Sequence, residues 1–299
     1  MKAPIVTSVI IRTECLEGRA ASLDRAIRSV TAEQEPAALP IIVHNGHRAH
    51  PPTLEALRRR SDIRLFEMGE RDFSDALRVG REQVDTPFFC FLDDDDCYLP
   101  GSNRERVEAM RRHPAASVIV TTGLRNHEGR VVAVPRSPAF DPTDLFASLM
   151  KSSWLSACGG FFRTQSVSAA LFDNGLSHNE WTYIAFRLTR ESHVVFEAGS
   201  GPHFEITDTP GSMSKSIDQT LATPAILQRM GEADLTPRER RLLDEKLRRC
   251  WHGVASVELR RRRIGAAWRA HRRSLLLPGG WRYILFTRKL LRFNRSHDG

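Results

Sequence analysis

Short apolar runs rich in β-branched and aromatic residues alternate with amphipathic segments through the first third of the chain. Residues 5–12, 41–43 and 87–92 read IVTSVIIR, IIV and PFFCFL, the composition of strands that are buried on both faces. Between these runs, residues 23–30 and 74–83 carry apolar side chains at helical spacing. This alternation predicts parallel strands joined by crossover helices, and therefore an open, mostly parallel α/β sheet flanked by helices.

The middle of the chain is less regular. Ser117–Thr121 and Val131–Val134 flank the turn-forming residues 126–129, and this pattern predicts a hairpin. Residues 158–162, CGGFF, predict a strand whose glycines allow close packing, and residues 179–190 predict an amphipathic helix. The sheet is therefore expected to continue beyond the first third of the chain.

The C-terminal part of the chain differs in composition from the rest. Residues 237–299 hold about 18 lysines and arginines against about 5 acidic residues, although the net charge of the whole chain is +8. Thr236 and Glu239 form a capping-box pattern around Pro237, which predicts the start of a helix. We therefore expect an α/β domain over 1–215 and a helical, basic extension over 216–299.

Cysteine usage and the N-terminal sequence bear on the compartment. The five cysteines show no CxxC spacing and no cluster with histidine, which disfavours a disulfide framework or a zinc site. The first apolar run is too short for a secretory signal, and no stretch approaches the roughly 20 apolar residues of a transmembrane helix. A cytoplasmic protein is the expectation.

Four consecutive aspartates, Asp93 to Asp96, follow the predicted strand at 87–92. Ligands of open α/β sheets bind beyond the carboxyl ends of the strands, and adjacent carboxylates repel one another unless a cation joins them. Mg²⁺ or Mn²⁺ suits oxygen ligands and commonly shares them with substrate phosphates. The aspartates could instead cap a helix, and the same cluster would serve a nucleotidyltransferase or a nuclease.

Four segments, in order, resemble glycosyltransferase family 2. They are SVIIRTECLEGRAASLDRAIRSV, IIVHNG, FCFLDDDDCYLPG and SHNEWTYIAFRL, and the similarity extends over about residues 5–215. The resemblance implies a GT-A fold and an inverting, metal-dependent enzyme. Such an enzyme transfers a sugar from a nucleoside-diphosphate sugar to an acceptor hydroxyl in polysaccharide or glycoconjugate synthesis.

The resemblance also implies roles for individual residues. Asp93 and Asp95 fall on the family's metal-binding carboxylates, with Asp95 as the direct ligand of Mg²⁺ or Mn²⁺. The implied nucleotide contacts are Arg12, Thr13 and Glu14 after the first strand, Asn45 after the second, and Asp94.

Glu180 falls on the family's catalytic base in the segment Asn179-Glu180-Trp181. Inversion needs one general base to remove the proton of the attacking hydroxyl, so a single carboxylate suffices. Glu180 could also simply favour the first turn of a helix.

The sequence departs from the family pattern at three positions. Asn45 replaces the usual Asp that meets the nucleobase, Leu77 and Arg78 replace an Arg-Asn pair, and Glu180 replaces the more common Asp. These changes leave the identity of the base open, and they keep a non-catalytic, nucleotide-binding relative as an alternative.

The last segment, LLLPGGWRYILFTRKLLRFNR, places Trp281, Ile284, Leu285 and Leu291 where they could share one face of a helix among arginines. A basic, aromatic, amphipathic helix suits peripheral association with the inner face of the cytoplasmic membrane and a lipid-linked acceptor. Packing on the catalytic domain is the alternative. Nucleic acid is not expected, because no nucleic-acid motif accompanies the arginines.

Overall fold

A computed structural model describes residues 4–32, 35–46, 49–69, 75–127, 130–134, 140–173, 175–176, 178–197, 201–207 and 217–295. They fall into two compact units, one within Met1–Thr143 and Ser153–Pro210 and the other within Asp144–Ser152 and Gly211–Gly299. Among these residues, no helix combines the length and apolar character needed to cross a bilayer. The predicted boundary between 1–215 and 216–299 stays a prediction.

The strands are β1 (Ile5–Thr13), β2 (Ala37–His44), β3 (Arg64–Glu67), β4 (Phe88–Asp93), β5 (Cys97–Tyr98), β6 (Val118–Thr121), β7 (Gly123–His127), β8 (Arg130–Val134), β9 (Gly160–Arg163), β10 (Val194–Glu197) and β11 (Phe204–Thr207). The helices are α1 (Ala20–Thr31), α2 (Pro51–Arg58), α3 (Ala76–Glu82), α4 (Ser102–Arg112), α5 (Leu145–Lys151), α6 (Glu180–Glu191), α7 (Ile217–Met230), α8 (Pro237–Arg260), α9 (Ile264–Leu276) and α10 (Phe286–Arg295).

The main sheet of the first unit has the strand order β10-β6-β9-β4-β1-β2-β3. Neighbours pair in parallel except β9, which runs antiparallel to β4 and β6. The central strands β1 and β4 are buried along most of their length because both faces of the sheet are covered. The predicted mostly parallel α/β sheet is confirmed.

The second sheet of this unit has the strand order β5-β11-β7-β8, and it shows that the predicted hairpin is wrong. Ser117–Thr121 does not pair with Val131–Val134, since β6 lies in the main sheet and β8 pairs with β7. Val118–Val120 is buried throughout, so this segment belongs in a covered sheet rather than at a solvated hairpin. Of the predicted turn, Glu128 and Gly129 lie outside the described residues.

The second unit consists of α5 and the C-terminal helices α7 to α10. The predicted capping box is present: Thr236 accepts from the Glu239 amide, and the Glu239 carboxylate accepts from the Thr236 amide. The expected helical, basic extension is confirmed. The last segment is broken by a single-turn helix at Gly280–Tyr283, and the α10 residue Leu290 is buried in a small apolar cluster.

Candidate active site

The carboxyl ends of β1, β2 and β4 meet at one edge of the main sheet. Arg12 pairs with Val43 of β2 and with Asp93 of β4, and Thr13 pairs with His44. Because the strands are parallel, the side chains that follow them converge at this edge. The structure therefore brings together residues such as Thr13 and Asp94, which are 81 positions apart in sequence.

Asp94 and Asp95 are buried and held by protein partners. Thr13 Oγ1 donates to Asp94 Oδ2 at 2.7 Å, and the Arg19 guanidinium donates to Asp94 Oδ1 at 2.5 Å. The same Arg19 group lies 3.2 Å from Asp95 Oδ2, and Arg25 donates to the Asp95 carbonyl at 2.9 Å. Both carboxylates are thus oriented from the segment that follows β1.

Asp93 and Asp96 face a buried thiol. Cys158 Sγ donates to Asp96 Oδ2 at 3.3 Å, and the Thr207 amide donates to Asp96 Oδ1 at 2.9 Å. One ligand atom from each of Asp93, Asp96 and Cys158 lies within 4.8 Å of the others, so the group could hold a metal ion. The sequence predicted Asp93 and Asp95 as ligands. The structure groups Asp93 with Asp96 and pairs Asp95 with Arg19.

The pKa values of these carboxyls show the cost of packing acids together. Loss of water contact raises the pKa of Asp96 to about 8, and the nearby charge of Asp93 adds to the shift. Partial removal from water also raises the pKa of Asp93 to about 6 against the opposing charge of Arg12, although this side chain is still 39% exposed. A divalent cation would relieve this repulsion, and the two carboxylates fit the Mg²⁺ or Mn²⁺ that the sequence implies, whereas the Cys158 thiol is not a usual ligand of these ions.

Glu180 is the first residue of α6, and it lies at the same edge as Asp93. Its carboxylate Oε1 accepts from Arg12 Nη2 at 2.5 Å, and Arg12 Nε lies 4.0 Å from Asp93 Oδ1. Asn179 has a left-handed backbone conformation just before the helix, and Trp181 packs edge-on against Phe91 of β4 at 5.1 Å. The start of α6 is thereby anchored on the strand that carries the aspartates.

Arg12 and Glu180 form an ion pair with little solvent contact. Their side chains are 10% and 7% exposed. Burial acts to lower the pKa of Arg12, but the charges of Glu180 and Asp93 outweigh it and raise that pKa. The guanidinium is therefore a fixed positive charge beside two carboxylates.

The end of β2 presents polar atoms without protein partners. Asn45 and His44 are buried, and within the described part of the chain no hydrogen bond reaches Asn45 Oδ1 or either ring nitrogen of His44. Burial lowers the pKa of His44, so its ring is neutral at pH 7. Glu14 is exposed and lies next to Gly46. Its Cγ is 3.6 Å from the point where a Cβ at position 46 would lie. Glu14 and Asn45, both predicted to contact the nucleotide, thus lie on neighbouring loops.

His203, just before β11, is buried. Its Nε2 lies 3.3 Å from Glu105 Oε2, and burial lowers its pKa to about 4.

Three residues at the site escaped the sequence interpretation: Arg19, Asp96 and Cys158. Asp96 could have been found from the run of four aspartates, because any member of the run is a possible ligand. Arg19 and Cys158 follow no local motif, since only the tertiary fold brings them to the aspartates.

A family model supplies the class of this protein. Residues 9–170 match the model of glycosyl transferase family 2, which spans more than half of the chain. The chain belongs to this family and is a glycosyltransferase. A search of curated protein sequences found no match.

Solved structures share the fold. The crystal structure of S. aureus TarS residues 1–349 in complex with UDP-GlcNAc matches with a TM-score of 0.63 and 16% identity, over 90% of this chain and 82% of that chain. The UDP complex of the same TarS segment matches with a TM-score of 0.56 and 14% identity, over 91% and 83%. A longer TarS structure matches at 0.57 and 16%, over 82% of this chain but 43% of its own. The GT-A-like fold is confirmed.

Proposed function

We propose that the protein transfers a sugar, with inversion, from a nucleoside-diphosphate sugar to an acceptor hydroxyl. The observation that carries the proposal is the convergence of Glu180 with Asp93 at the edge formed by β1 and β4. One carboxylate is available for proton transfer, and the neighbouring cluster suits a diphosphate with its metal. The UDP-GlcNAc and UDP of the TarS crystals support a nucleoside-diphosphate donor.

The chemistry requires one bond to form and one to break. The acceptor oxygen attacks the anomeric carbon, the bond from that carbon to the diphosphate oxygen breaks, and the diphosphate keeps the electron pair. Glu180 takes the proton that the acceptor oxygen loses. An α-linked donor then yields a β-linked product, because attack occurs on the face opposite the leaving group.

Asp93 and Asp95 would hold Mg²⁺ or Mn²⁺, with Asp96 beside them. The bound ion stabilises negative charge on the leaving diphosphate. Asp94 is kept in place by Thr13 and Arg19, in the position where we expect it to meet the ribose or a phosphate. These contacts fix the orientation of the Asp94 carboxylate.

We propose that Arg12, Thr13, Glu14, Asn45 and Asp94 line the nucleotide site. The unpartnered Asn45 Oδ1 is an acceptor that suits an N–H group of a nucleobase. A buried acceptor without a partner costs about 1–3 kcal/mol, and a bound base would recover part of that cost. Uridine is the first base to test, because UDP occurs in the TarS complexes.

The first experiment measures donor binding and the proposed base together. UDP, dTDP, GDP and CDP are screened by thermal shift with and without Mn²⁺, since binding to the folded state raises the melting temperature. The diphosphate that binds identifies the donor series, and release of that diphosphate from its sugar conjugate is then followed. We expect Glu180→Gln to lower kcat by about 10²–10⁴-fold and leave the thermal shift in place.

Three outcomes would contradict the proposal. Near-normal turnover by Glu180→Gln would remove the base assignment. A diphosphate that binds without any turnover of its sugar conjugates would favour the non-catalytic relative. No binding of any diphosphate, with cleavage of a nucleic acid or turnover of nucleoside triphosphates, would favour the nuclease or nucleotidyltransferase alternative.

We also propose that the C-terminal helices associate with an anionic membrane surface, where a lipid-linked acceptor would be found. Trp281 and Leu285 are 71% and 67% exposed, and Arg282 lies over the Trp281 ring at 5.9 Å. Leu276, Ile284 and Leu291 are also exposed, and arginines and a lysine occupy the same segment. Exposed apolar groups beside cations match a surface of acyl chains and anionic headgroups.

The membrane proposal is tested with vesicles. Trp281→Ser/Leu285→Ser should reduce co-sedimentation with phosphatidylglycerol-containing vesicles and leave the thermal stability within about 0.5 kcal/mol of the parent, since both side chains are exposed. Val131→Ser, at an exposed position of the first unit, is the matched control and should bind as the parent does. Equal binding by the double variant, or equal binding to neutral vesicles, would refute the proposal.

A further inference from the structure

The side chain of Arg12 lies between two carboxylates from different elements. Arg12 is near the end of β1, Asp93 ends the adjacent β4, and Glu180 begins α6. The guanidinium bonds Glu180 at 2.5 Å and its Nε lies 4.0 Å from Asp93. It therefore contacts the proposed base directly and the proposed metal carboxylate more weakly.

The contact with Arg12 gives the two carboxylate oxygens of Glu180 different surroundings. Arg12 occupies Oε1, whereas no hydrogen bond from the residues described here reaches Oε2. A general base needs a lone pair that is not already engaged, together with a fixed orientation. The geometry supplies both, because a strand side chain holds one oxygen and leaves the other to accept a proton.

The ion pair between Arg12 and Glu180 also reduces the repulsion between Glu180 and Asp93. Glu180 would otherwise carry its charge in a place with little water and close to Asp93, where two like charges repel. The guanidinium compensates both charges, and its planar donor fork is rigid compared with the ammonium of lysine. A side chain at position 12 that cannot donate to Oε1 would leave Glu180 free to turn away.

We propose that Arg12 is a positioning residue, which holds Glu180 Oε1 so that Oε2 takes the proton of the acceptor. The inference rests on the proposed function, because it assumes that Glu180 is the base. It gives Arg12 a role in turnover beyond the nucleotide contact that the sequence predicts. The two roles differ in a measurable way: a positioning residue changes kcat, whereas a nucleotide ligand changes donor binding.

The test compares Arg12→Gln, Arg12→Lys and Glu180→Gln. Release of the nucleoside diphosphate from the donor is measured with water as the acceptor, since water must also lose a proton to the base. We expect Arg12→Gln to lower kcat by about 30-fold or more at saturating donor, in addition to any change in donor KM from its nucleotide contact. Arg12→Lys should recover part of the kcat, because it restores the charge without the fork.

A double variant separates this role from a structural one. If Arg12 acts through Glu180, then Arg12→Gln/Glu180→Gln turns over as slowly as Glu180→Gln alone, and the two effects do not add. Arg60→Gln is the matched control: Arg60 bonds Asp24 and Asp62 elsewhere in the same unit, and this variant should keep the parent kcat. If Arg12→Gln does not fold, the same cycle with Arg12→Lys decides.

Each remaining outcome is decisive. An unchanged kcat with a raised donor KM would overturn the inference and make Arg12 a nucleotide ligand. The inference would also be overturned if the kcat losses of Arg12→Gln and Glu180→Gln multiplied in the double variant. Normal turnover by Glu180→Gln would instead sink the base assignment of the proposed function. Loss of turnover in Glu180→Gln with normal Arg12 variants would refute the positioning role alone.

Discussion

Replacing the buried hydroxyl of Thr13 tests how the aspartate loop is held. Thr13 Oγ1 donates to Asp94 at 2.7 Å and accepts from the Cys15 amide at 3.0 Å. Thr13→Val keeps the shape of the side chain and removes both hydrogen bonds. A bond to a buried charged group contributes about 1.5–3 kcal/mol and a neutral one about 0.5–1.5 kcal/mol, so the loss should total about 2–4 kcal/mol.

The loss is measured by thermal unfolding and by nucleotide binding. Each kcal/mol shifts the midpoint of a domain of this size by about 2–4 °C, so Thr13→Val should unfold on the order of 10 °C below the parent. Its thermal shift with UDP and Mn²⁺ should also shrink, because Asp94 loses one of its two anchors. Thr13→Ser keeps the hydroxyl and is the control. If the valine and serine variants unfold within about 0.5 kcal/mol of each other, the Asp94 bond does not hold the loop.

Three further variants probe the metal, the packing and the pH response. Asp93→Asn should abolish the Mn²⁺-dependent part of the UDP thermal shift, and an unchanged metal response would exclude Asp93 as a ligand. Gly80→Ala places a Cβ 2.4 Å from the Ile10 Cγ2 and should destabilise the protein by about 1–3 kcal/mol. Gly253→Ala, in open space on α8, should stabilise it by about 0.5–1 kcal/mol. Equal denaturant midpoints of the two variants would refute this contrast. The pKa of His203 is about 4 in the folded protein, whereas a histidine in the unfolded chain has a pKa of about 6.5. Between these pH values the unfolded chain binds a proton that the folded protein does not bind. The free energy of unfolding should therefore fall as the pH drops from about 6.5 to 4. His203→Gln should flatten that part of the urea-unfolding profile, and an unaltered slope would show that His203 is not the group responsible.

The sheet and most of the site edge could be predicted because their signals are local. β1 and β4 are continuous apolar runs, which only a covered sheet can bury, and Asp93 follows such a run directly. Parallel pairing then places Arg12 and Thr13 next to Asp93 by the geometry of the sheet alone. Glu180 is less local: it was assigned through the family resemblance, and only tertiary structure shows that it reaches Arg12.

The parts that could not be predicted depend on contacts between distant segments. The parallel pairing of β7 with β11 brings Gly123 against the ring of Phe204, and a Cβ at Gly123 would lie 2.2 Å from that ring. Sequence periodicity contains no information about such an approach. The segment 144–152 likewise joins the C-terminal helices, where Leu149 O accepts from Lys246, although nothing in its composition indicates this.

The four aspartates show which features of the site a sequence motif can predict and which it cannot. In sequence they are equivalent, and in the fold their partners differ: Arg12 for Asp93, Thr13 and Arg19 for Asp94, Arg19 again for Asp95, and the Cys158 thiol for Asp96. With Glu180, five carboxyl groups share this edge with the guanidiniums of Arg12 and Arg19, while Arg25 bonds the Asp95 carbonyl. Hydrogen bonds from Thr13 and Cys158 add no charge, and a divalent ion of the kind that the family implies would add positive charge among the acids. Asp93 lies 4.0 Å from its arginine and Asp96 has only uncharged partners, so a divalent ion would relieve the most repulsion beside these two carboxyls, one of which, Asp93, is also a predicted ligand.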